Sequence, residues 1–286
     1  MKFIADLHIH SHFSDGTMPP SELVDLACKK GLRAIALTDH DTLEGLSEAE
    51  KAGKEKGLEV MVGVELSVGY EQYQLHLLGY GFDSDDPGLQ KCLTLLQQGR
   101  VERNRRILEK LKNLGIDLSP EELQSLAGQG QCGRPHIAML LRRAKVIHSM
   151  EEAFTTYLGR GGAAYCSRFS YQLQEAIAII GKAGGLTVLA HPLHTFGEPA
   201  KLAAVLPHFI DLGLDGIEAY YPTHSRRHRR DLVAIAGKFG CLTTGGSDFH
   251  GTLRPQTTLA GGKNLSVPDE VLQEMKQRLA KRRQTV

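Results

Sequence analysis

Residues that can bind metal ions recur along the chain at the ends of short apolar runs. The first such segment, DLHIHSHFSDG, contains His8, His10 and Asp15. Later runs are followed by LTDHD, GVELS, LAHP and GSDFH, and a further histidine lies within an apolar run at residues 74–80. These segments contribute His40, Glu65, His76, His191, Asp248 and His250. Imidazole and carboxylate groups together suit manganese, iron or zinc, so these residues predict a centre for divalent metal ions.

The apolar runs that carry these residues have the length and composition of β-strands. Seven strands are predicted, at residues 3–7, 34–37, 59–64, 74–80, 186–190, 216–219 and 242–244. Helical patterns at residues 21–30, 43–56, 171–182 and 224–238 separate most of them, which predicts an α/β fold with a largely parallel sheet. The carboxyl ends of parallel strands gather on one face, and in barrel enzymes that face carries the chemistry. The convergence of nine ligands from six strands therefore favours a closed barrel over an open sheet.

One region interrupts the alternation of strands and helices. Residues 99–160 show helical periodicity without a strand pattern, and the Gly-rich GRGGAAY that follows marks the return to the barrel. We therefore expect a first part of the barrel at residues 1–98, an inserted small helical domain at 99–160 with three or four short helices, and a second part of the barrel at 161–286.

Bulk properties limit the class of protein. The chain has 286 residues, 41% of them hydrophobic, which is enough for a sizeable core. The net charge of +1 gives no global field for nucleic acid. The five cysteines are scattered and include no C-x-x-C pair, and the start MKFIADLHIH is not a signal peptide. With no apolar run of membrane-spanning length, the sequence predicts a cytoplasmic protein that has no contact with membranes and no evident obligate protein partner.

The motifs resemble those of the PHP (polymerase and histidinol phosphatase) family. The resemblance rests on DLHIHSHFSDG at 6–16, LTDHD at 37–41, GVELS at 63–67, LAHP at 189–192 and GSDFH at 246–250. It implies a distorted seven-stranded (β/α) barrel and a phosphoesterase site with two or three divalent ions, manganese before iron or zinc. The helical insert and its GRPHIA segment at 133–138 are similar to one subfamily, the 3′,5′-nucleoside bisphosphate phosphatases and 5′→3′ exoribonucleases.

The resemblance also implies a division of the ligands among three ions. The first ion would be held by His8, His10, Glu65 and Asp248. Glu65 would bridge to the second ion, which His76 and His191 complete, and the third would be held by Asp15, His40 and His250. Two such ions can activate water and stabilise the charge that develops on a phosphoryl group. Glu65, His191 and Asp248 are therefore expected to be catalytic.

Three further residues are predicted to contact the substrate. In GRPHIA, Arg134 and His136 stand at a predicted helix start, where backbone N–H groups and a guanidinium can hold a phosphate. They are expected to bind the 5′-phosphate. His224, which follows the sixth strand, is a candidate both for substrate binding and for protonation of the leaving group, a role that water could fill instead.

These assignments predict a metal-dependent phosphoesterase whose substrate is a nucleotide or a short RNA 5′ end. The favoured reaction removes the 3′-phosphate of a 3′,5′-nucleoside bisphosphate such as adenosine 3′,5′-bisphosphate. A 5′→3′ exoribonuclease acting on short 5′-phosphorylated RNA would cleave the same P–O3′ bond. An arginine run after the sixth strand, at residues 226–230, offers a path for RNA. Histidinol-phosphate phosphatase activity and a non-catalytic PHP module are the remaining alternatives.

Overall fold

The structure, a computed structural model, describes residues 5–128, 130–261 and 267–284. In this part of the chain a mixed α/β fold is built on an eight-stranded sheet. The strands are β1 (Ala5–Ile9), β2 (Ala34–Leu37), β3 (Glu59–Tyr70), β4 (Tyr73–Tyr80), β5 (Tyr171–Gln172), β6 (Leu186–Leu189), β7 (Gly216–Tyr220) and β8 (Leu242–Gly245). Their order is β1-β2-β3-β4-β6-β7-β8, and the two-residue β5 pairs with β3.

All seven predicted strands are present, and the α/β class is confirmed. Residues 3 and 4 of the first prediction lie outside the described residues. The sheet is parallel except at β4, which runs antiparallel to both β3 and β6. The prediction that the ligands stand at the carboxyl ends of parallel strands is therefore wrong for His76, which lies in β4, and for Glu65, which lies in the middle of β3. The reason is local: β3 continues to Tyr70 instead of ending near residue 64, and turns directly into β4 as a hairpin.

The two outer strands of this order approach each other. The amide of His10 donates to the carbonyl of Phe249 at 3.0 Å, and the amide of Asp248 donates to the carbonyl of His8 at 2.8 Å. A side chain at Gly246 would place its Cβ 2.3 Å from the Cβ of His8, so the close approach requires glycine there. Backbone contact thus joins β1 to the segment that follows β8.

The helices pack around the sheet and begin at residues suited to helix starts. They are α1 (Pro20–Lys29), α2 (Leu46–Lys56), α3 (Pro87–Asn113), α4 (Pro120–Ala127), α5 (Arg134–Arg143), α6 (Met150–Ala153), α7 (Leu173–Lys182), α8 (Leu193–Phe196), α9 (Pro199–Asp211), α10 (Arg226–Phe239) and α11 (Asp269–Arg283). Asp86 caps α3 by accepting from the amide of Leu89 at 2.8 Å, and Ser225 caps α10 by accepting from the amide of His228 at 3.1 Å. Helices α8, α9 and α11 go beyond those predicted.

Helix α3 differs from the short helices expected between residues 99 and 160. It begins at Pro87 and runs without interruption across residue 99. Its first half packs into the hydrophobic core of the sheet through Leu89, Leu93 and Leu96. Its second half packs into a separate hydrophobic cluster, in which Ile107 and Leu111 meet residues of α4, α5 and α6. Helix α3 therefore contributes side chains to two hydrophobic cores. Because the helix is continuous, the sequence shows no break that would mark where it begins.

Two further predictions concern membrane-spanning helices and the cysteines. In the part of the chain that the structure describes, no helix combines the length and the apolar character needed to cross a bilayer. The five cysteines, which all lie in the described residues, are free.

Candidate metal centre

The predicted ligands meet at one edge of the sheet. His8 lies in β1 and His10 directly follows the strand, and their spacing of two residues places both side chains on the same face. The segment after β2 is fastened to β3, because the amide of Glu65 donates to the carbonyl of Asp39 at 3.2 Å and the amide of Asp41 donates to the carbonyl of Glu65 at 3.1 Å. These two bonds place His40 beside Glu65.

Glu65 lies at the middle of the cluster and is buried. Its Oε2 atom is 3.3 Å from Nε2 of His8, 3.2 Å from Nε2 of His10 and 3.1 Å from Nδ1 of His40. Its Oε1 atom is 2.8 Å from Nδ1 of His76 and 3.1 Å from Nε2 of His191. Each carboxylate oxygen therefore faces its own group of imidazoles. His76 reaches this point from the first half of β4, where it is paired with Ser67 of β3.

Asp248 approaches the first of these groups from the segment after β8, whose backbone is hydrogen-bonded to β1. Its Oδ1 atom is 3.6 Å from Nε2 of His8 and 3.2 Å from Nε2 of His10. Asp248 and His191 both have backbone angles in the left-handed region, with φ of 51° and 27°. Residues other than glycine rarely adopt this backbone conformation, and such strain concentrates at functional sites.

A third group surrounds Asp15. Its Oδ1 atom is 3.1 Å from Nε2 of His250 and 3.8 Å from Nδ1 of His10, and its Oδ2 atom is 3.9 Å from Nε2 of His40. One ligand atom from each of these four residues lies within 4.8 Å of the others. His10 and His40 thus each contact two groups, through their two ring nitrogens. All nine predicted ligands are brought together.

The ligand atoms fit divalent cations. Several point at one another while being buried and without a hydrogen-bond partner. These atoms are Nε2 of His8, His10 and His250, Nδ1 of His40 and His76, and Oδ1 of Asp15. Buried polar atoms are rarely left unsatisfied, and cations bound within these groups would satisfy them. Burial raises the pKa of Glu65, but the imidazoles of His40 and His76 hold it well below its usual range. The carboxylate is therefore ready to bind a cation.

Three residues that were not predicted hold the ligands in place. Glu218 on β7 faces Nδ1 of His8 at 3.0 Å and accepts from the amide of His191 at 2.7 Å. Oδ2 of Asp248 accepts from the hydroxyl of Tyr221 at 2.7 Å and from the guanidinium of Arg254. A carboxylate that accepts from a ligand histidine fixes which ring nitrogen faces the metal. The one signal for Glu218 in the sequence is a lone acidic residue inside a buried strand.

His224 is 1% exposed, although it lies just before α10. Its Nδ1 atom is 3.0 Å from the carbonyl oxygen of Ala219, so Nδ1–H donates to that carbonyl. Burial lowers the pKa of His224, and the neutral ring presents Nε2 as an acceptor. That atom is buried without a hydrogen-bond partner. The ring centroid lies 5.3 Å from that of Tyr221, which places His224 at the border of the cluster.

Arg134 and His136 lie in the first turn of α5, as predicted, but their side chains have different hydrogen-bond partners. Arg134 donates to the carbonyl of Leu158 at 3.2 Å. Nδ1 of His136 accepts from the amide of Gly133 at 3.0 Å and so caps the helix. Burial lowers the pKa of His136, and Arg100 lowers it further against the opposing effect of Asp15. The ring is therefore neutral near pH 7 and has one N–H to offer to an anion.

Comparison with known proteins gives consistent matches over most of the chain. The sequence model of the PHP domain family matches residues 6–161. A 5′-3′ exoribonuclease from Haemophilus influenzae is 35% identical over 93% of this chain and 96% of its own length. A 3′,5′-nucleoside bisphosphate phosphatase from Chromobacterium violaceum is 32% identical over 86% of each chain. The fold is also similar to that of a solved structure from Bifidobacterium adolescentis, which is described as a metal-dependent phosphoesterase. The TM-score is 0.86 at 31% identity, and the match covers 97% of both chains.

Proposed function

The chain belongs to the PHP domain family, as its motifs predicted, and on that premise we propose that it is a metal-dependent phosphoesterase. Its favoured reaction removes the 3′-phosphate of a 5′-phosphorylated nucleotide. A 3′,5′-nucleoside bisphosphate would thus give a 5′-mononucleotide and phosphate. The relatives named for bisphosphate hydrolysis and for exoribonuclease action support the nucleotide as the substrate class.

The observation that carries the proposal is the position of Glu65. Its two oxygens face two groups of imidazoles. His8, His10 and His40 lie on one side, and His76 and His191 lie on the other. A carboxylate in that position suits a bridge between two ions. We therefore assign the first ion to His8, His10, Glu65 and Asp248, and the second to Glu65, His76 and His191.

A third ion is assigned to Asp15, His40 and His250. The distances within this group support the assignment, and His10 adds a further nitrogen 3.8 Å from Asp15. Manganese is the favoured metal, with iron and zinc as alternatives, since imidazole and carboxylate ligands accept all three.

Divalent ions at such a centre lower the pKa of bound water and neutralise phosphate oxygens, which is the chemistry that phosphoester hydrolysis needs. The chain itself orients the ligands through Glu218, Tyr221 and Arg254. We propose that Nε2 of His224 accepts a hydrogen bond from the substrate. Because the neutral ring has no proton at Nε2, this geometry argues against His224 as the acid that protonates the departing oxygen.

Exoribonuclease action is the second candidate, since the same P–O3′ cleavage would release a 5′-mononucleotide from RNA. Its specific support is α10, which begins two residues after His224 and carries the exposed Arg226, Arg227 and Arg230. A phosphate backbone that leaves the metal centre on this side would meet these guanidinium groups.

Two features of architecture belong to the same proposal. The contact between β1 and the segment after β8 supports closure of the sheet into the distorted seven-stranded barrel. The separate hydrophobic cluster of α4, α5, α6 and the second half of α3 supports a helical insert domain at 99–160 for substrate recognition, between barrel parts at 1–98 and 161–286. The free cysteines fit a reducing compartment, which supports the cytoplasm as the location.

A side-by-side assay tests the proposal. Adenosine 3′,5′-bisphosphate, a short 5′-phosphorylated RNA and histidinol phosphate are incubated with protein whose metal content has been measured. We expect phosphate release from the bisphosphate, mononucleotide release if RNA is also accepted, and no release from histidinol phosphate. Absence of both metal and turnover after addition of Mn²⁺ would favour the non-catalytic module instead.

A further inference from the structure

A groove with an apolar lining lies between α5, the start of α6 and the segment that follows His250. Its volume is about 660 Å³, within the range of roughly 300–1,000 Å³ that is typical of ligand sites. Met139 and Met150 line it from the helices, and Leu253 and Pro255 line it from the segment. Methionine side chains are flexible and adapt to ligands of varied shape. The lining therefore suits flat apolar groups that differ between ligands, as nucleobases do.

Two arginines in the last turn of α5 make the groove cationic. Arg142 and Arg143 both line it and are exposed. They follow Met139 by three and four residues, so they lie on the same face of α5 as that side chain. Across residues 5–128, 130–261 and 267–284, no acidic residue lines the groove and no carboxylate pairs with either arginine. Cations at the end of a helix offset its dipole, but that role does not require an apolar groove beside them.

One wall of the groove is continuous with the proposed ligands of the third ion. Thr252 lines the groove two residues after His250, and its amide donates to Oγ1 of Thr17 at 3.0 Å. Thr17 lies two residues after Asp15, and its hydroxyl donates to the carbonyl of His250 at 3.4 Å. Gly251 permits this approach, since a Cβ there would lie 2.1 Å from Oγ1 of Thr17. A chain that extends from the metal centre past Asp15 and His250 therefore reaches the groove.

The same wall also contacts a proposed ligand of the first ion. Arg254 lies between the groove residues Leu253 and Pro255, but its guanidinium turns to the metal centre and donates to Oδ2 of Asp248. One short segment therefore contacts the metal centre on one side and forms the groove on the other. Because Arg254 is already paired, phosphate contacts within the groove fall to the two arginines of α5.

The charge of the groove differs from that of the arginine run on α10. Nε of Arg227 and Nε of Arg230 lie 3.7 and 3.8 Å from the carboxylate oxygens of Asp231, so part of the charge on α10 is already compensated. The groove combines uncompensated cations with apolar side chains. Proteins that bind single-stranded nucleic acid without sequence preference combine cations that follow the backbone with side chains that pack against the bases. The groove therefore has the chemistry of a single-strand site.

We infer that this groove binds the part of an RNA substrate that follows the cleaved bond, with Arg142 and Arg143 holding phosphates and Met139 and Met150 packing against bases. The inference rests on the proposed function in its exoribonuclease form. A 3′,5′-nucleoside bisphosphate has no nucleotide after the cleaved bond and would leave the groove empty. Substrates with a nucleotide chain beyond that bond should therefore gain affinity that the bisphosphate does not.

Binding to the metal-free protein tests the groove without turnover. Fluorescence anisotropy follows a short 5′-phosphorylated RNA, labelled at its 3′ end, on the wild type, on the groove variant Arg142→Gln/Arg143→Gln and on the control Arg105→Gln/Arg106→Gln. The control arginines are exposed on α3 and do not line the groove, so both variants lose the same net charge. Loss of two phosphate contacts should reduce the slope of log affinity against log salt by about 1.4, and the affinity at about 0.1 M salt by roughly 25-fold. The control should bind like the wild type.

Kinetics and cross-linking give two further measurements. The ratio of kcat/KM for the short RNA to that for adenosine 3′,5′-bisphosphate should fall by roughly 25-fold in the groove variant and stay at the wild-type value in the control. A 4-thiouridine at the second nucleotide of the RNA reports its position on the wild type, independently of any substitution. Irradiation should link it to peptides that contain residues 139–143 or 252–256.

The outcomes separate the two proposals. An unchanged salt slope in the groove variant, an equal kinetic loss with both substrates, or cross-links confined to α10 overturns the role of the groove. Displacement of the RNA by an oligoglutamate peptide as readily as by unlabelled RNA overturns its assignment to nucleic acid. Wild-type protein that cleaves neither the RNA nor the bisphosphate overturns the proposed function. In that case anisotropy and cross-linking still decide whether the groove binds RNA.

Discussion

The carboxylate of Glu218 offers the sharpest test of how the metal centre is held together. It is fully buried and is not itself a proposed ligand. One oxygen faces Nδ1 of His8 at 3.0 Å, and the other accepts from the amide of His191 at 2.7 Å. It therefore orients two proposed ligands that belong to different ions. Glu218→Gln preserves the shape of the side chain and removes its charge.

The size of the effect follows from these two contacts. In the glutamine variant one of the two donors must face an NH₂ group, so one buried hydrogen bond is lost and the other is no longer charge-assisted. A hydrogen bond to a charged group contributes about 1.5–3 kcal/mol, and each 1.4 kcal/mol corresponds to about a tenfold change in affinity. Metal affinity should therefore fall by roughly 10- to 100-fold.

Titration of metal-free protein with Mn²⁺, followed by calorimetry, measures this loss. The matched control is Glu59→Gln, which removes a half-exposed surface pair with Lys276 and should leave Mn²⁺ affinity within about twofold of the wild type. Circular dichroism of both variants verifies folding. Affinity in Glu218→Gln equal to that of the control would refute the claim that Glu218 positions the ligands.

Three further outcomes are expected. Glu65→Gln should abolish turnover and lower the measured metal content, since one carboxylate faces both groups of imidazoles; a near-normal kcat would contradict its bridging position. Tyr221→Phe should weaken Mn²⁺ binding by about tenfold, because the hydroxyl that holds Asp248 at 2.7 Å is lost; titration with Mn²⁺ measures it. Asp41→Asn should lower the free energy of unfolding by about 3–5 kcal/mol, since its two arginine partners become buried cations without a counterion; urea denaturation measures the change, and an unchanged midpoint would count against it.

The ligands could be predicted from the sequence because histidine and carboxylate side chains are unusual at the ends of buried strands. A polar group such as His8 or Asp248 at the end of a buried apolar strand has few structural uses, and several of them at corresponding places indicate one site. The direction of β4 could not be predicted in this way. A period of two residues describes a strand without giving its orientation, and the hairpin depends on β3 continuing past Glu65.

The residues that support the site were harder to predict for a different reason. Glu218 and Tyr221 lie in segments whose local pattern is that of an ordinary strand and an ordinary loop. Their importance comes from partners distant in sequence, such as His8 for Glu218 and Asp248 for Tyr221. Only the assembled structure brings these pairs together, whereas the class of fold and the family required local motifs alone.

The unbroken course of α3 has a consequence for how the two hydrophobic cores are held relative to each other. Leu96 is fixed in the core of the sheet, and Ile107 of the second cluster lies eleven residues farther along the same helix, about 16 Å away at 1.5 Å per residue. A helix does not stretch, so the cluster that contains α4, α5 and α6 keeps a constant distance from the sheet. Helix α3 would thus act as a rigid connection between the two cores and not as a hinge.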